Sequence, residues 1–294
     1  MKKEKSISYR LFYLLVHLTL TAISIAAIVP FILSIIVSVT DEQEIILNGY
    51  SFFPKKLSSA AYRMVFDENW VFDAYKITLI VTLLGTVLCV VLSAMIGYAI
   101  SIQKVKYRNT IAMYLFIPMV FNAGLVPWYL WVSGTLHLRN TIWALILPGM
   151  INPFWIFLLR NYFKTIPESL SESAEIDGAG PVYTFFKIIL PLAKPIIATV
   201  VLFASLHYWN DYVNALWLID KQNLYPLQYM LYKIKSLISF MIEHGGSMNE
   251  GNTILPSETI QMATFIIVLG PIVLVYPGIQ KYFVKGIMVG AVKG

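Results

Sequence analysis

With 294 residues, of which 58% are hydrophobic and 13% charged, and a mean hydropathy of +0.70, the chain lies far outside the composition of soluble domains, which carry about 25% charged residues. It reads as an all-α integral membrane protein. The net charge of +6 does not point to nucleic acid, because Lys and Arg gather in short segments between apolar runs, and the single Cys89 excludes an intrachain disulfide.

In chain order, a short basic start (residues 1–10) precedes an apolar run from Leu11 to about Val39. That run far exceeds the ~7–15 residues of a signal-peptide core, so a first transmembrane helix is expected. A polar interval, about 40–73, follows and is expected outside. The second span, from about Tyr75 to Ser101, carries Gly85, Ser93, Ala94 and Gly97, small residues on which another helix can pack closely. Lys104–Asn109 is a basic turn. The third span, Thr110 to about Val132, is interrupted at Pro118 and at Asn122-Ala123-Gly124. The fourth, Thr141 to about Phe163, is interrupted at Pro148-Gly149 and Asn152-Pro153. Such breaks are tolerated at membrane depth where the freed backbone faces protein or a wet cavity.

Thr165 to Pro195 is the longest polar interval between two strongly apolar segments. Thr165 and Glu168 have capping-box spacing, Pro167 suits a first helical turn, and Gly178 sits where a helix end calls for positive φ. Pro181 suits the start of a second helix carrying Phe185, Phe186, Ile189 and Leu190. The stretch therefore predicts helix, tight turn, helix. A fifth span from about Leu192 to Leu218, an outer segment about 219–258 with a short helix near Leu227–Ile242, and a sixth span from Thr259 to Tyr282 complete the pattern. A basic tail, 283–294, ends it.

Six spans with both termini inside put fourteen Lys and Arg with five Asp and Glu on the inner side, against eight and eleven outside. This is the expected asymmetry, and it places the elbow in the cytoplasm.

No reacting constellation emerges. HExxH is absent, and His17, His137, His207 and His244 offer no metal spacing. Gly246–Thr253 has the glycines of a phosphate loop but Asn252 in place of its lysine, and reads as a loop tip. Asp211 approaches the membrane, where a carboxylate costs ~2.5–3.5 kcal/mol and usually faces an interior or aqueous path. With Tyr208, Trp209, Asn210, Tyr212 and Asn214 it offers the aromatic faces, amides and carboxylate that bind sugars. An outer-rim segment with aromatic anchors and a solvated acid is the competing reading. Trp128, Trp131, Trp143 and Trp155 are expected as interfacial anchors. Asn122, at the break in the third span, is a further candidate for the path.

The elbow carries Glu172-Ser173-Ala174, then Gly178, Ile188 and Leu190-Pro191 at the spacing EAA-x3-G-x9-I-x-LP. It resembles the permease subunits of binding-protein-dependent ABC importers, with Ser173 replacing the middle alanine. IPESLSESAEIDGAG, YWNDY and the ending QKYFVKGIMVGAVKG resemble the carbohydrate branch, and the ending resembles the tails of maltose-type second permeases. NAGLVPWYLW and NTIWALILPG suggest the subgroup importing oligosaccharides from complex polysaccharides.

The resemblance implies a type I ABC importer fold: residues 11–282 form six transmembrane helices, and the cytoplasmic EAA loop, 165–191, supplies the coupling helix between the fourth and fifth. It implies that Glu172, Ser173, Ala174, Asp177, Gly178, Ala179, Ile188, Leu190 and Pro191 serve contact with an ATPase. The implied partners are a second, homologous permease, two ATPase subunits that use ATP and Mg, an extracytoplasmic sugar-binding protein, an oligosaccharide and the lipid bilayer of a bacterial cell membrane. The subunit itself would be no enzyme and would bind no cofactor or metal. A stand-alone ion-coupled transporter or channel is the alternative.

Overall fold

The computed structural model describes residues 7–67, 70–244 and 258–274. These are helical, apart from connecting segments and an isolated bridge between Thr40 and Leu57. The chain divides into two units, residues 1–68 with 234–270, and residues 69–233 with 271–294.

In the first unit, α1 (Ile7–Ser38) is almost uniformly apolar and exposes nearly all its side chains, as a helix facing hydrocarbon does. α2 (Glu42–Asn48) is capped by Asp41, whose carboxylate accepts from the Gln43 amide at 3.1 Å, and closes at Gly49 with φ +73°. Together with α3 (Ala60–Asp67), it gives the predicted external interval its structure. The Glu44 carboxylate accepts the amides of Lys55 and Lys56. Glu42 is buried, and its carboxylate accepts the amides of Glu258 and Thr259, each at 3.0 Å, and the Thr259 hydroxyl at 2.7 Å. These three bonds cap the last described helix, which runs Glu258–Leu274.

The second unit is built on α4 (Trp70–Ala99), a thirty-residue apolar helix without proline. α5 (Arg108–Val120), α6 (Leu125–Leu130), α7 (Trp143–Ile146) and α8 (Pro153–Phe163) follow. α9 (Glu168–Ile176), α10 (Pro181–Thr184) and α11 (Leu190–Leu192) form the elbow, and α12 (Lys194–Asn210) and α13 (Val213–Leu218) leave it. α14 (Leu227–His244) begins in this unit, and the helix Glu258–Leu274 is α15.

α12 and α8 pack on α4, and the small residues of α4 are where they touch it. A Cβ on Gly97 would lie 3.0 Å from the Ile156 carbonyl oxygen, so glycine lets α8 approach backbone to backbone. Cys89, Ser93 and Ala94 are buried along the same helix.

The expected breaks are present. α5 and the segment Leu125–Thr135, which ends in a π-helical turn, meet at 118°, and the two halves of the fourth apolar segment meet at 47°. Two described helices are long and apolar enough to cross a membrane, and up to five segments are if each bent pair counts as one.

Three expectations change. The run from Leu192 to Leu218 is not one helix: α12 stops at Asn210, because the Asp211 carboxylate accepts the amides of Val213 and Asn214 and so starts α13. Trp155 is buried at 5% exposure against His207, with ring centroids 5.8 Å apart, and is therefore no surface anchor. The Thr165–Glu168 capping box does not form. Ile166 precedes a proline and avoids helical geometry, so α9 starts only after Pro167, and the Thr165 hydroxyl donates back to the Tyr162 carbonyl at 2.7 Å. The loop tip after residue 244, the last part of the expected sixth span and the tail lie outside the described residues.

Candidate functional site

The elbow is a helix–turn–helix, and its turn follows from one glycine. α9 ends at Ile176 with Asp177 as its cap, and Gly178 takes φ +83°, a conformation that costs other residues about 1–2 kcal/mol. The Gly178 amide donates to the Glu175 carbonyl at 3.1 Å and the Ala179 amide to the Ala174 carbonyl at 2.8 Å, which satisfies the last carbonyls of the helix in a Schellman arrangement. Pro181 then opens α10 as its first residue, where the missing N–H costs nothing.

Beyond α10 the backbone passes through a π-helical turn, Phe185–Ile189, into α11, and bends by 85° into α12. The Phe185 ring anchors this arm. It lies 5.2 Å from Tyr98 on α4 and 6.5 Å from Phe163 on α8, centroid to centroid. The Phe185 register belongs to the predicted second helix, but its partners are set by tertiary structure. The basic turn after α4 reaches the first arm, where Lys104 pairs with Glu175 at 3.3 Å on the surface.

Within the elbow, Ala174 is buried, and Glu172, Ser173, Asp177 and Gly178 are exposed. Ala179, Ile188 and Leu190 are half-buried and Pro191 is exposed. The nine residues therefore lie on one continuous elbow. Its outer surface adds Leu170 and Ile176, the latter 86% exposed, an apolar side chain projecting from a polar helix.

The second group of candidates sits at the far end of α12, about 25 Å along a seventeen-residue helix. Tyr208 and Trp209 point into the protein, at 3% and 7% exposure. The Tyr208 hydroxyl donates to the Ile146 carbonyl at 2.9 Å. Asn210 is exposed and accepts from the Gln228 amide group at 2.9 Å. Asp211 is half-buried, and the Asn214 side chain also donates to it. Asn122 is exposed at the break between α5 and α6, where its carbonyl accepts the Gly124 amide at 2.9 Å. Asn210, Asp211 and Asn122 thus have accessible polar atoms, and Tyr208 and Trp209 hold the helix end in place.

A clasp that sequence reasoning missed lies near this end. Asp220 pairs with Arg139 at 3.0 Å and accepts from the Asn140 side chain at 3.0 Å, and Asn140 in turn accepts the Asp220 amide at 2.6 Å. Asn140 holds φ +59° to do so, a signal carried by asparagine at a loop tip. Among the described residues, no group of three or more His, Cys, Asp or Glu could hold a metal ion.

Comparison with known proteins gives a consistent result. The family described as binding-protein-dependent transport system inner membrane component matches residues 107–289. The chain is 36% identical to the polygalacturonan/rhamnogalacturonan transport system permease protein YtcP of Bacillus subtilis, over 97% of this chain and 99% of that one. It is 35% identical to protein LplC of the same organism, over 94% and 93%. Among solved structures, a chain of a bacterial ABC transporter involved in the import of the acidic polysaccharide alginate matches with a TM-score of 0.82 and 29% identity, covering 95% of this chain and 98% of that one.

Proposed function

Because the chain belongs to the family of binding-protein-dependent transport system inner membrane components, an ABC permease family, we propose that it forms half of the translocation pathway of an ATP-driven oligosaccharide importer. The cargo is an oligosaccharide derived from an acidic, uronate-containing polysaccharide. Support for that class comes from the relatives, whose names specify polygalacturonan/rhamnogalacturonan transport and alginate import.

In this reading six spans cross the membrane with both termini in the cytoplasm, and a second permease completes the path. An external binding protein delivers the sugar. Two ATPase subunits consume ATP and Mg, so the chain itself performs no chemistry. Asn210, Asp211 and Asn122 face the passage.

One observation carries the coupling role. The residues at the EAA positions form a rigid helix–turn–helix whose first arm exposes Glu172, Ser173 and Ile176 and whose second arm runs through the Phe185 anchor into α12. A load applied to α9 is passed through a bonded turn and the Phe185 anchor to α12. Gly178→Arg, or Glu172→Arg at the exposed face, leaves the subunit inserted at normal levels and abolishes sugar uptake and substrate-stimulated ATP hydrolysis. Normal uptake by either variant at equal abundance would refute the coupling role.

A further inference from the structure

Behind α9 lies an open cavity of about 700 Å³, bordered by the turn after α4, the start of α5, the end of α8 and the inner face of α9. Arg108, Arg160 and Lys164 line it, and so do Glu168 and Glu172. Lys104 and Glu175 also border it but are paired with each other. None of the other five makes an ion pair among the described residues. Charges of both signs therefore share one cavity and are held apart.

Arg160 gives the sharper indication. Its Nε is buried without a hydrogen-bond partner among the described residues, and its guanidinium lies 5.8 Å from the Phe157 ring centroid. A buried guanidinium donor left unsatisfied is costly, and a phosphate oxygen is the acceptor that suits its geometry best. The rim also holds the first residues of α5, a thirteen-residue helix whose N-terminus has no side-chain cap. A simple anion would meet Glu168 and Glu172 as well. A ligand carrying a phosphate and an ammonium group meets both walls with the opposite charge.

The position of the cavity identifies the source. Its apolar wall includes Tyr98 in the last turn of α4, and the apolar stretch Val71–Ala99 ends there. The end of a membrane-length helix lies at the level of lipid headgroups, where basic pockets between helices recruit phosphate-bearing lipids. We infer that this cavity binds the headgroup of an aminophospholipid, its phosphodiester on Arg108, Arg160 and Lys164 and its primary ammonium on Glu168.

The test uses the assembled transporter, reconstituted in vesicles with equal parts phosphatidylethanolamine, phosphatidylglycerol and phosphatidylcholine, extracted in mild detergent and weighed by native mass spectrometry. Phosphatidylethanolamine is retained over both others. Arg160→Gln and Arg108→Gln each lower its retention about tenfold, the worth of one charge-assisted hydrogen bond. Lys106→Gln, outside the cavity, has no effect. Glu168→Gln shifts the preference to phosphatidylglycerol. Equal retention of phosphatidylcholine, or wild-type retention in both arginine variants, overturns the inference. Displacement by millimolar phosphoethanolamine overturns the lipid source. Should Arg160→Gln fail to assemble, Arg108→Gln at the open rim decides alone. Lipid retention is read without transport, so its failure is distinguishable from failure of the coupling reading.

Discussion

Gly85 of α4 lies against the ring of Tyr208 of α12 so closely that a Cβ there would stand 2.6 Å from Cζ. The ring is held from a second side as well. Its hydroxyl is bonded to the Ile146 carbonyl, and a Cβ on Gly149 would approach the same ring and hydroxyl at 3.2 and 3.1 Å. Gly85→Ala is expected to lower stability by about 1–3 kcal/mol through overpacking, read as a lower melting temperature in detergent. Adding Tyr208→Leu recovers part of the loss. An unchanged melting temperature in the single variant would show the contact to be loose.

Asp211 has two possible duties, and one pair of substitutions separates them. Asparagine caps helices as well as aspartate does, so Asp211→Asn keeps α13 in place while removing the charge, and Asp211→Ala removes both at a cost of about 1 kcal/mol. If Asp211 faces the sugar path, both variants slow uptake at normal abundance. Uptake impaired by alanine alone assigns the carboxylate to capping.

Glu42→Gln removes the carboxylate that holds the start of α15. A glutamine oxygen replaces one of its acceptors, and its amide faces donors already present, so the loss is expected to be about 1–3 kcal/mol. Hydrogen exchange at the Glu258 and Thr259 amides reports it directly. Protection equal to wild type would contradict the assignment.

Tyr50 donates to the Glu258 carboxylate at 2.8 Å, and burial first, with that carboxylate second, pushes its pKa up to about 12. The ordinary value is about 10, so the folded state holds the proton more tightly than the unfolded state. The bond's contribution is complete below pH 10 and is lost as pH rises toward 12. With the side chain 53% exposed, the effect on stability is small. The phenolate spectrum of wild type minus Tyr50→Phe should show a midpoint near 12, whereas one near 10 would exclude the interaction.

Local signals made much of this structure readable in advance. Pro181 and Gly178 announced the elbow because each residue's backbone restriction or freedom acts where it stands. The breaks at Gly124 and Asn152 were visible for the same reason, and so were the small residues of α4. Contacts between distant segments were not legible. Nothing near Glu42 says that it caps a helix 216 residues later, and Tyr208 and Trp155 look like surface aromatics until Tyr208 meets Gly85 and Ile146 and Trp155 meets His207. Asp211 was singled out by its charge, but its capping of α13 depended on where α12 ends. Thr165 misled because capping-box spacing is a local pattern, and the intervening Pro167 moves the start of the helix.

The π-helical turn Phe185–Ile189 holds one more residue than an α-helical turn would. Each residue of an α-helix advances the azimuth by about 100°, so this single extra residue sets the compass bearing of the elbow relative to α12. A one-residue deletion at Phe186 would keep the fold of each arm and re-aim the whole elbow by about that angle. The direction in which this chain presents α9 is thus adjustable by one codon, without redesign of either helix.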